Sequence, residues 1–329
     1  MQRIPLDILV RLIDNFGDIG FALELIVALE FQFPGIFQFR VFTNEVSRTR
    51  VFFARNQHLL RSYTIHDMLD FEPSEGALCI LALFHAPIPK FSDGKKRLVL
   101  RIDYISFDPA WIVMNGQEHL YSSEITQIIE LIPSPCPKGA GLICHDFPHI
   151  TRSAWLESLG LPQEFADKKW ISIFCYPEIF ARIDFDSFPE DALCFCLGIN
   201  PKNIPSPNCI VLPFLAIDRY YLLQKLSDFN IIRGEVSFVQ ALFSGKPFLW
   251  DMYKMQGGWN EEQSNQFLEY FHFSASYREF HQKINGENRG LTYADICVSE
   301  LIPSGLFGDD GRNFTQTVKN YVDSFLFSL

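Results

Sequence analysis

The sequence predicts an α/β protein of two domains, and three observations predict it. Short apolar runs of strand type alternate with helical segments. The alternation breaks at a proline-rich stretch and then starts again, and 329 residues exceed what a single hydrophobic core ordinarily organises. Hydrophobic residues make up 48% of the chain and charged residues 20%, with 33 phenylalanines, so apolar area suffices for two cores and disorder is not expected.

Residues 6–13 form the first apolar run. The turn Asp14-Asn15-Phe16-Gly17-Asp18 follows, and then Ile19, Ala22, Leu23, Ile26 and Val27 recur at helical spacing. Further strands are expected at 37–43, 77–83 and 97–102, which with helical or loop segments between them imply a mostly parallel, doubly wound sheet. Residues 132–141, IPSPCPKGAG, cannot continue a helix or a central strand and read as a loop near the domain edge. A second set of strands is expected at 170–176, 192–197, 209–212, 229–232 and 246–250. Near the end, Val318, Tyr321, Val322, Phe325 and Leu326 sit at helical spacing and predict a terminal helix packed on a core, able to cross back to the first domain. The expected domains are 1–165 and 166–311, with 312–329 as that helix.

Charge narrows the function. With 28 Lys+Arg against 39 Asp+Glu the net charge is −11, which argues against nucleic acid or an acidic membrane surface as partner. The apolar stretch 4–10 is interrupted by Asp7 and followed by Arg11, so it reads neither as a secretory segment nor as a membrane span, and a soluble, cytoplasmic protein is expected. Eight cysteines (79, 136, 144, 175, 194, 196, 209, 297) form no Cys-x-x-Cys pair and read as reduced thiols. Cys144, His145 and His149 lie close together, but no second ligand cluster completes a metal site. The sequon Asn313-Phe314-Thr315 is expected to stay unmodified in the cytoplasm.

Ligands of open α/β sheets bind at the carboxyl ends of strands, which directs attention to two turns. The second reads Arg233-Gly234-Glu235-Val236-Ser237 and opens a helix with Phe238, Val239 and Leu242. Gly234 permits close backbone approach, Ser237 is a candidate N-cap, the helix-start amides can hold a phosphate, and Arg233 can grip a diphosphate in bidentate fashion. Alternatively, Arg233 pairs with Glu235 or another carboxylate and Ser237 only caps. In the first turn Asp14 and Asp18 flank Asn15 and Gly17, and Asp18 can serve simply as N-cap of a helix over 19–30.

Taken together, Asp14-Asn15-Phe16-Gly17-Asp18-Ile19-Gly20 and Arg233-Gly234-Glu235-x-Ser237-Phe238, with the strand Gly245-Lys246-Pro247-Phe248-Leu249-Trp250, resemble the elongation factor P arginine rhamnosyltransferases, the EarP family. Leu212-Pro213-Phe214 and, more loosely, Asp103-Tyr104-Ile105-Ser106 and 137–141 extend the resemblance over most of the chain. It implies a GT-B architecture: two facing Rossmann-like domains with a cleft between them, acceptor side first and nucleotide-sugar side second. It further implies inverting transfer of L-rhamnose from dTDP-β-L-rhamnose to an arginine of elongation factor P, with no cofactor and no metal. By position, Asp18 takes the general-base role, Asp14 supports it, and Glu235 is counted with the catalytic groups. Asn15, Phe16, Gly17, Arg233, Gly234, Glu235, Ser237 and Phe238 fall to nucleotide-sugar binding, and Phe174, Tyr176, Phe214 and Tyr220 to the base pocket. Two positions depart from the family, Val236 where Asp is usual and Ile217 where Gln is usual. A different nucleotide sugar or acceptor, or a nucleotide-binding protein without turnover, therefore stays open as an alternative.

Overall fold

In a computed structural model of the chain, residues 3–13, 17–143, 145, 147–200, 206–252, 259–286, 290–296 and 313–329 are described. They divide into two units, one of Met1–His145 with Phe307–Leu329 and one of Asp146–Leu306. The division falls about twenty residues before the expected 165/166 boundary. Its reason is aromatic packing: Trp155, on helix α4 (Arg152–Ser158), lies 5.5 Å from Trp170 and 5.3 Å from Phe195 in the core of the second unit.

Unit 1 holds six strands: β1 (Ile4–Val10), β2 (Phe37–Thr43), β3 (Tyr63–Asp67), β4 (Cys79–Leu83), β5 (Arg97–Ile102) and β6 (Thr126–Leu131). Every pairing is parallel and the spatial order is β3-β2-β1-β4-β5-β6, the doubly wound order that reverses between β1 and β4. Helix α1 (Gly17–Gln32) follows β1 and is buried at every position from Asp18 to Glu30, hence its all-round apolar composition. The two glutamates buried on it are partnered, Glu24 with His145 and Glu30 with the Gly35 amide and Arg61. The Asp7 that interrupts the first apolar run is fully buried and faces its in-register neighbour Arg40 through two hydrogen bonds of 2.6 and 2.8 Å. A third, from the Ala77 amide at 2.7 Å, satisfies the carboxylate further, as a buried charge requires. Short helices α2 (Val46–Ala54) and α3 (Pro109–Ile112) complete this part of the chain.

Unit 2 holds β7 (Lys169–Ile173), β8 (Ala192–Leu197), β9 (Cys209–Leu212), β10 (Phe229–Arg233) and β11 (Phe248–Asp251), all parallel, in the order β11-β10-β7-β8-β9. Its helices are α4, α5 (Pro177–Phe180), α6 (Ile217–Leu226), α7 (Gly234–Ser244), α8 (Trp259–Tyr270), α9 (Ala275–Gly286) and α10 (Tyr293–Ile296). The last helix, α11 (Phe314–Phe327), packs Phe314, Val318 and Val322 into unit 1 and contacts α1. Asn313, the sequon asparagine, caps α11 by accepting the Thr315 amide at 2.9 Å. Among the described residues no helix is long and apolar enough to cross a membrane.

Candidate active site

The strand order of unit 2 reverses between β7 and β10, so the turns after these two strands are where a ligand meets the sheet. Beyond β7 come Phe174, Cys175 and Tyr176. The Phe174 amide bonds to the Ile231 carbonyl at 2.8 Å, and the Tyr176 amide donates to the buried Asp251 carboxylate at 2.7 Å, so both rings stand on fixed backbone. β10 ends at Arg233, whose guanidinium carbon lies 4.4 Å from the Phe174 ring centre and 4.9 Å from that of Tyr176. One guanidinium nitrogen donates to the Cys175 carbonyl at 3.4 Å. Among the described residues Arg233 makes no ion pair with a carboxylate, so the Arg233–Glu235 pairing left open by the sequence is not formed. Two aromatic faces thus hold a cation that no carboxylate among the described residues pairs.

The start of α7 is equally open. Arg233 occupies the cap position in extended conformation, and its side chain makes no capping hydrogen bond. Gly234 has φ +70°, a conformation that favours glycine, and no described residue beyond its own turn lies within 4 Å of where its side chain would stand. Amides and dipole at such a helix start favour an anion. Ser237 is not the N-cap: the positive φ of Gly234 starts the helix three residues earlier, which buries Ser237 in the first turn with its carbonyl accepting from Gln224 at 3.4 Å. Phe238 likewise leaves the site. It is fully buried, stacked on Trp250 at 4.1 Å and edge-on to Phe267 at 5.4 Å, because the helix turns that position toward the sheet. Glu235 is half-buried in the same first turn.

Tyr220 and Phe214 stand edge-on to Phe174, with centroids 5.6 and 6.4 Å away. Burial pushes the Tyr220 hydroxyl up to about 12, so it stays protonated; it faces Ser237 and Gln224 without a well-formed hydrogen bond. Gly198 closes this wall after β8: with φ +74°, a side-chain carbon here would stand 3.1 Å from the Phe174 ring and 3.6 Å from the Arg233 guanidinium. Neither Gly198 nor Asp251 stood out in the sequence. Gly198 follows a strand without a motif, and Asp251 reaches the site through a backbone amide 75 residues away.

In unit 1 the reversal lies between β1 and β4, whose carboxyl ends are in register as Val10 beside Leu83. Asp18 sits in the first turn of α1, one residue inside the helix, and its Oδ2 accepts the Ile13 amide at 2.9 Å. It therefore ties the exit of β1 back to the helix instead of capping a helix at 19. Gly17 opens α1 and is exposed; Asp14, Asn15 and Phe16 lie outside the described residues, as does Cys144. Asn44 braces the same exit, accepting the Leu12 amide at 2.8 Å and donating to the Leu12 carbonyl at 3.2 Å. Beside it, β4 runs into Phe84, a non-glycine residue at φ +55° stacked on Tyr104 at 4.3 Å, and into the exposed His85. A bulky side chain in the left-handed region stores strain of about 1–3 kcal/mol. The sequence run LFHAP gives no sign of it.

Residues 200–299 match the family model described as the elongation factor P (EF-P) rhamnosyltransferase EarP. A protein-arginine rhamnosyltransferase of Neisseria meningitidis is 24% identical, over 75% of this chain and 73% of its own. That of Shewanella oneidensis is 25% identical over 80% and 79%. A Pseudomonas aeruginosa enzyme of the same name is 41% identical over a shorter match, 18% of this chain and 16% of its own. Among solved structures, one from work on EarP-mediated arginine glycosylation of elongation factor EF-P superposes with a TM-score of 0.50 at 16% identity, covering 99% of this chain and all of that one. The fold is of the GT-B class, two Rossmann-like units with parallel sheets.

Proposed function

We propose that this chain is a member of the EarP family of protein-arginine rhamnosyltransferases, and that it takes L-rhamnose from dTDP-β-L-rhamnose and places it, with inversion, on an arginine of elongation factor P. The observation that carries the donor half is Arg233: a guanidinium held over Phe174 and Tyr176, beside the uncapped start of α7, with no carboxylate partner among the described residues. A nucleoside diphosphate has what this corner lacks. Its phosphates suit the guanidinium and the helix-start amides, and its base suits the aromatic wall of Phe174, Tyr176, Phe214 and Tyr220.

During transfer the diphosphate leaves with increasing negative charge. Arg233 and the α7 amides are fixed before the reaction, so they stabilise that charge without reorganisation. Glu235, in the same turn, is read as a ribose or sugar contact. On the acceptor side the difficulty is the nucleophile: a guanidinium has a pKa above about 12 and an ordinary carboxylate one near 3.9, so no carboxylate deprotonates it in the ground state. In this reading Asp18 orients the arginine and accepts its proton only as the carbon–nitrogen bond forms, with Asp14 keeping the local charge negative. The Ile13 amide bonded to Asp18 supports the assignment, since it fixes the carboxylate in one orientation.

The test mixes purified protein, dTDP-β-L-rhamnose and unmodified elongation factor P, and follows the intact mass of the acceptor. One deoxyhexose added to an arginine is expected. Hydrolysis of the donor without transfer, or transfer from a different nucleotide sugar only, would overturn the substrate assignment.

A further inference from the structure

Four of the cysteines gather on one face of the unit 2 sheet. Cys175, Cys194, Cys196 and Cys209 belong to one apolar cluster with Ile171, Ile173, Phe229 and Ile231. Cys194 and Cys209 are moreover direct partners across the parallel pair β8–β9. Neighbouring strands lie about 4.8 Å apart, inside the roughly 4.4–6.8 Å between α-carbons that a disulfide spans. Cys196 is two residues further along, opposite Val211, which puts its α-carbon about 8 Å from that of Cys209 and beyond bridging distance without backbone movement. β9 is an edge strand of the sheet, and Cys209 is 7% exposed where Cys194 and Cys196 are fully buried. Contact with the Cys194 thiol, and secondarily with the Cys196 thiol, holds Cys209 below the ordinary thiol value, while its partners are pushed up.

From this register we infer that Cys194 and Cys209 are a redox pair that closes to a reversible disulfide with a low-molecular-weight disulfide as oxidant, and that closure is felt at the nucleotide pocket. The Cys209 thiolate attacks one sulfur of the small disulfide and expels the first small thiolate. The Cys194 thiol, giving up its proton, then attacks the Cys209 sulfur and expels the second. Two protein thiols are oxidised, one small disulfide is reduced to two thiols, and both protons end on those products. The route to the pocket is short: β8 continues through Leu197 to Gly198, against Phe174 and Arg233, and β9 continues through Leu212 and Pro213 to Phe214. The pocket half of the inference rests on the nucleotide reading above.

The experiment equilibrates the full chain in glutathione redox buffers of graded ratio, alkylates remaining thiols, and reads intact mass, peptide map and dTDP affinity. The expected result is a loss of two hydrogen atoms mapped to a Cys194–Cys209 link, reversed by dithiothreitol, with several-fold weaker dTDP binding. Both changes should be missing in Cys209→Ser and in Cys194→Ala, two variants of different bulk that guard against a folding defect in either. No disulfide in buffers that oxidise an exposed dithiol, or a link mapped to any other pair, overturns the pairing. A Cys194–Cys209 link that leaves dTDP affinity unchanged overturns the coupling. Absence of dTDP binding in the reduced protein would instead fault the donor assignment, and the mass readout stands apart from it.

Discussion

The two reversal points of the molecule are built on the same topology and solve opposite problems. In unit 2 the corner is cationic and aromatic, with Arg233 over Phe174 and Tyr176 and an uncapped helix behind it. In unit 1 the corner is anionic and tied down, with Asp18 bonded to Ile13, Asn44 bracing Leu12 and a strained Phe84 on the neighbouring strand. A parallel sheet thus presents either charge at a strand end, and the choice rests on two or three residues after the strand. In the proposed reaction the cationic corner would stabilise a leaving group, and the anionic corner would handle a nucleophile that carries its own positive charge.

The substitution expected to have the largest effect acts on the anionic corner. Asp18→Asn keeps an oxygen that can accept the Ile13 amide, so folding should survive, yet it removes the proposed proton acceptor. Transfer to elongation factor P should slow by roughly 10²–10⁴, the range for loss of a general base, with donor affinity unchanged. Intact-mass kinetics beside calorimetric melting check it; wild-type turnover in the Asn variant would move the catalytic role to Asp14. In the cationic corner, Arg233→Ala should weaken dTDP by about 1.5–3 kcal/mol, the range for hydrogen bonds to charged groups, and leave melting little changed. Titration calorimetry in the presence of a chelator reads this directly, and no binding by the wild-type protein there would remove the metal-free donor site.

A smaller effect is expected from Gly198→Ala. At φ +74° an alanine costs about 1–2 kcal/mol relative to an ordinary backbone, and its methyl would press on the Phe174 ring 3.1 Å away. Denaturant unfolding should show that loss, and dTDP affinity should fall with it because Phe174 carries Arg233. Unchanged affinity in a destabilised variant would separate Phe174 from the pocket.

Much of this contrast was legible in the sequence, and its gaps have physical causes. Residues 37–43, 97–102, 192–197 and 209–212 coincide with observed strands because apolar runs in a doubly wound sheet are buried on both faces. β3 and β6 were not anticipated: YTIHD is a half-buried edge strand, and TQIIEL carries Glu130, which burial raises and Arg101 lowers. The motifs mark the two strand ends where the sheet order reverses but not which residue of each motif stays outside the core. A capping pattern does not say where a helix begins. Arg233 with Gly234 at positive φ starts α7 early, which takes Ser237 and Phe238 into the interior, and α1 starts at Gly17, which puts Asp18 inside its first turn. Asp251 reaches the site through the Tyr176 amide and Gly198 by standing against the Phe174 ring, and no linear spacing encodes either.

The smallest expected effect concerns Ile217, the position at which the resemblance noted in the sequence implies a Gln. It opens α6 as a mostly buried residue, 7% exposed, three positions before the Tyr220 that borders Phe174. An isoleucine offers neither donor nor acceptor, so under the proposed donor assignment the base is expected to be distinguished by the packing of its methyl group on the aromatic wall. One methyl in a hydrophobic pocket is worth about 1–3 kcal/mol, which bounds the preference for dTDP over UDP. Ile217→Gln adds a hydrogen-bonding group at the helix start, where it gains at most about 0.5–1.5 kcal/mol net if it reaches the base. Parallel titrations of dTDP and UDP against both proteins should therefore show discrimination sharpened by no more than about tenfold. Identical discrimination in the two proteins would mean that position 217 serves the packing of α6 alone and that the aromatic wall reads the base unaided.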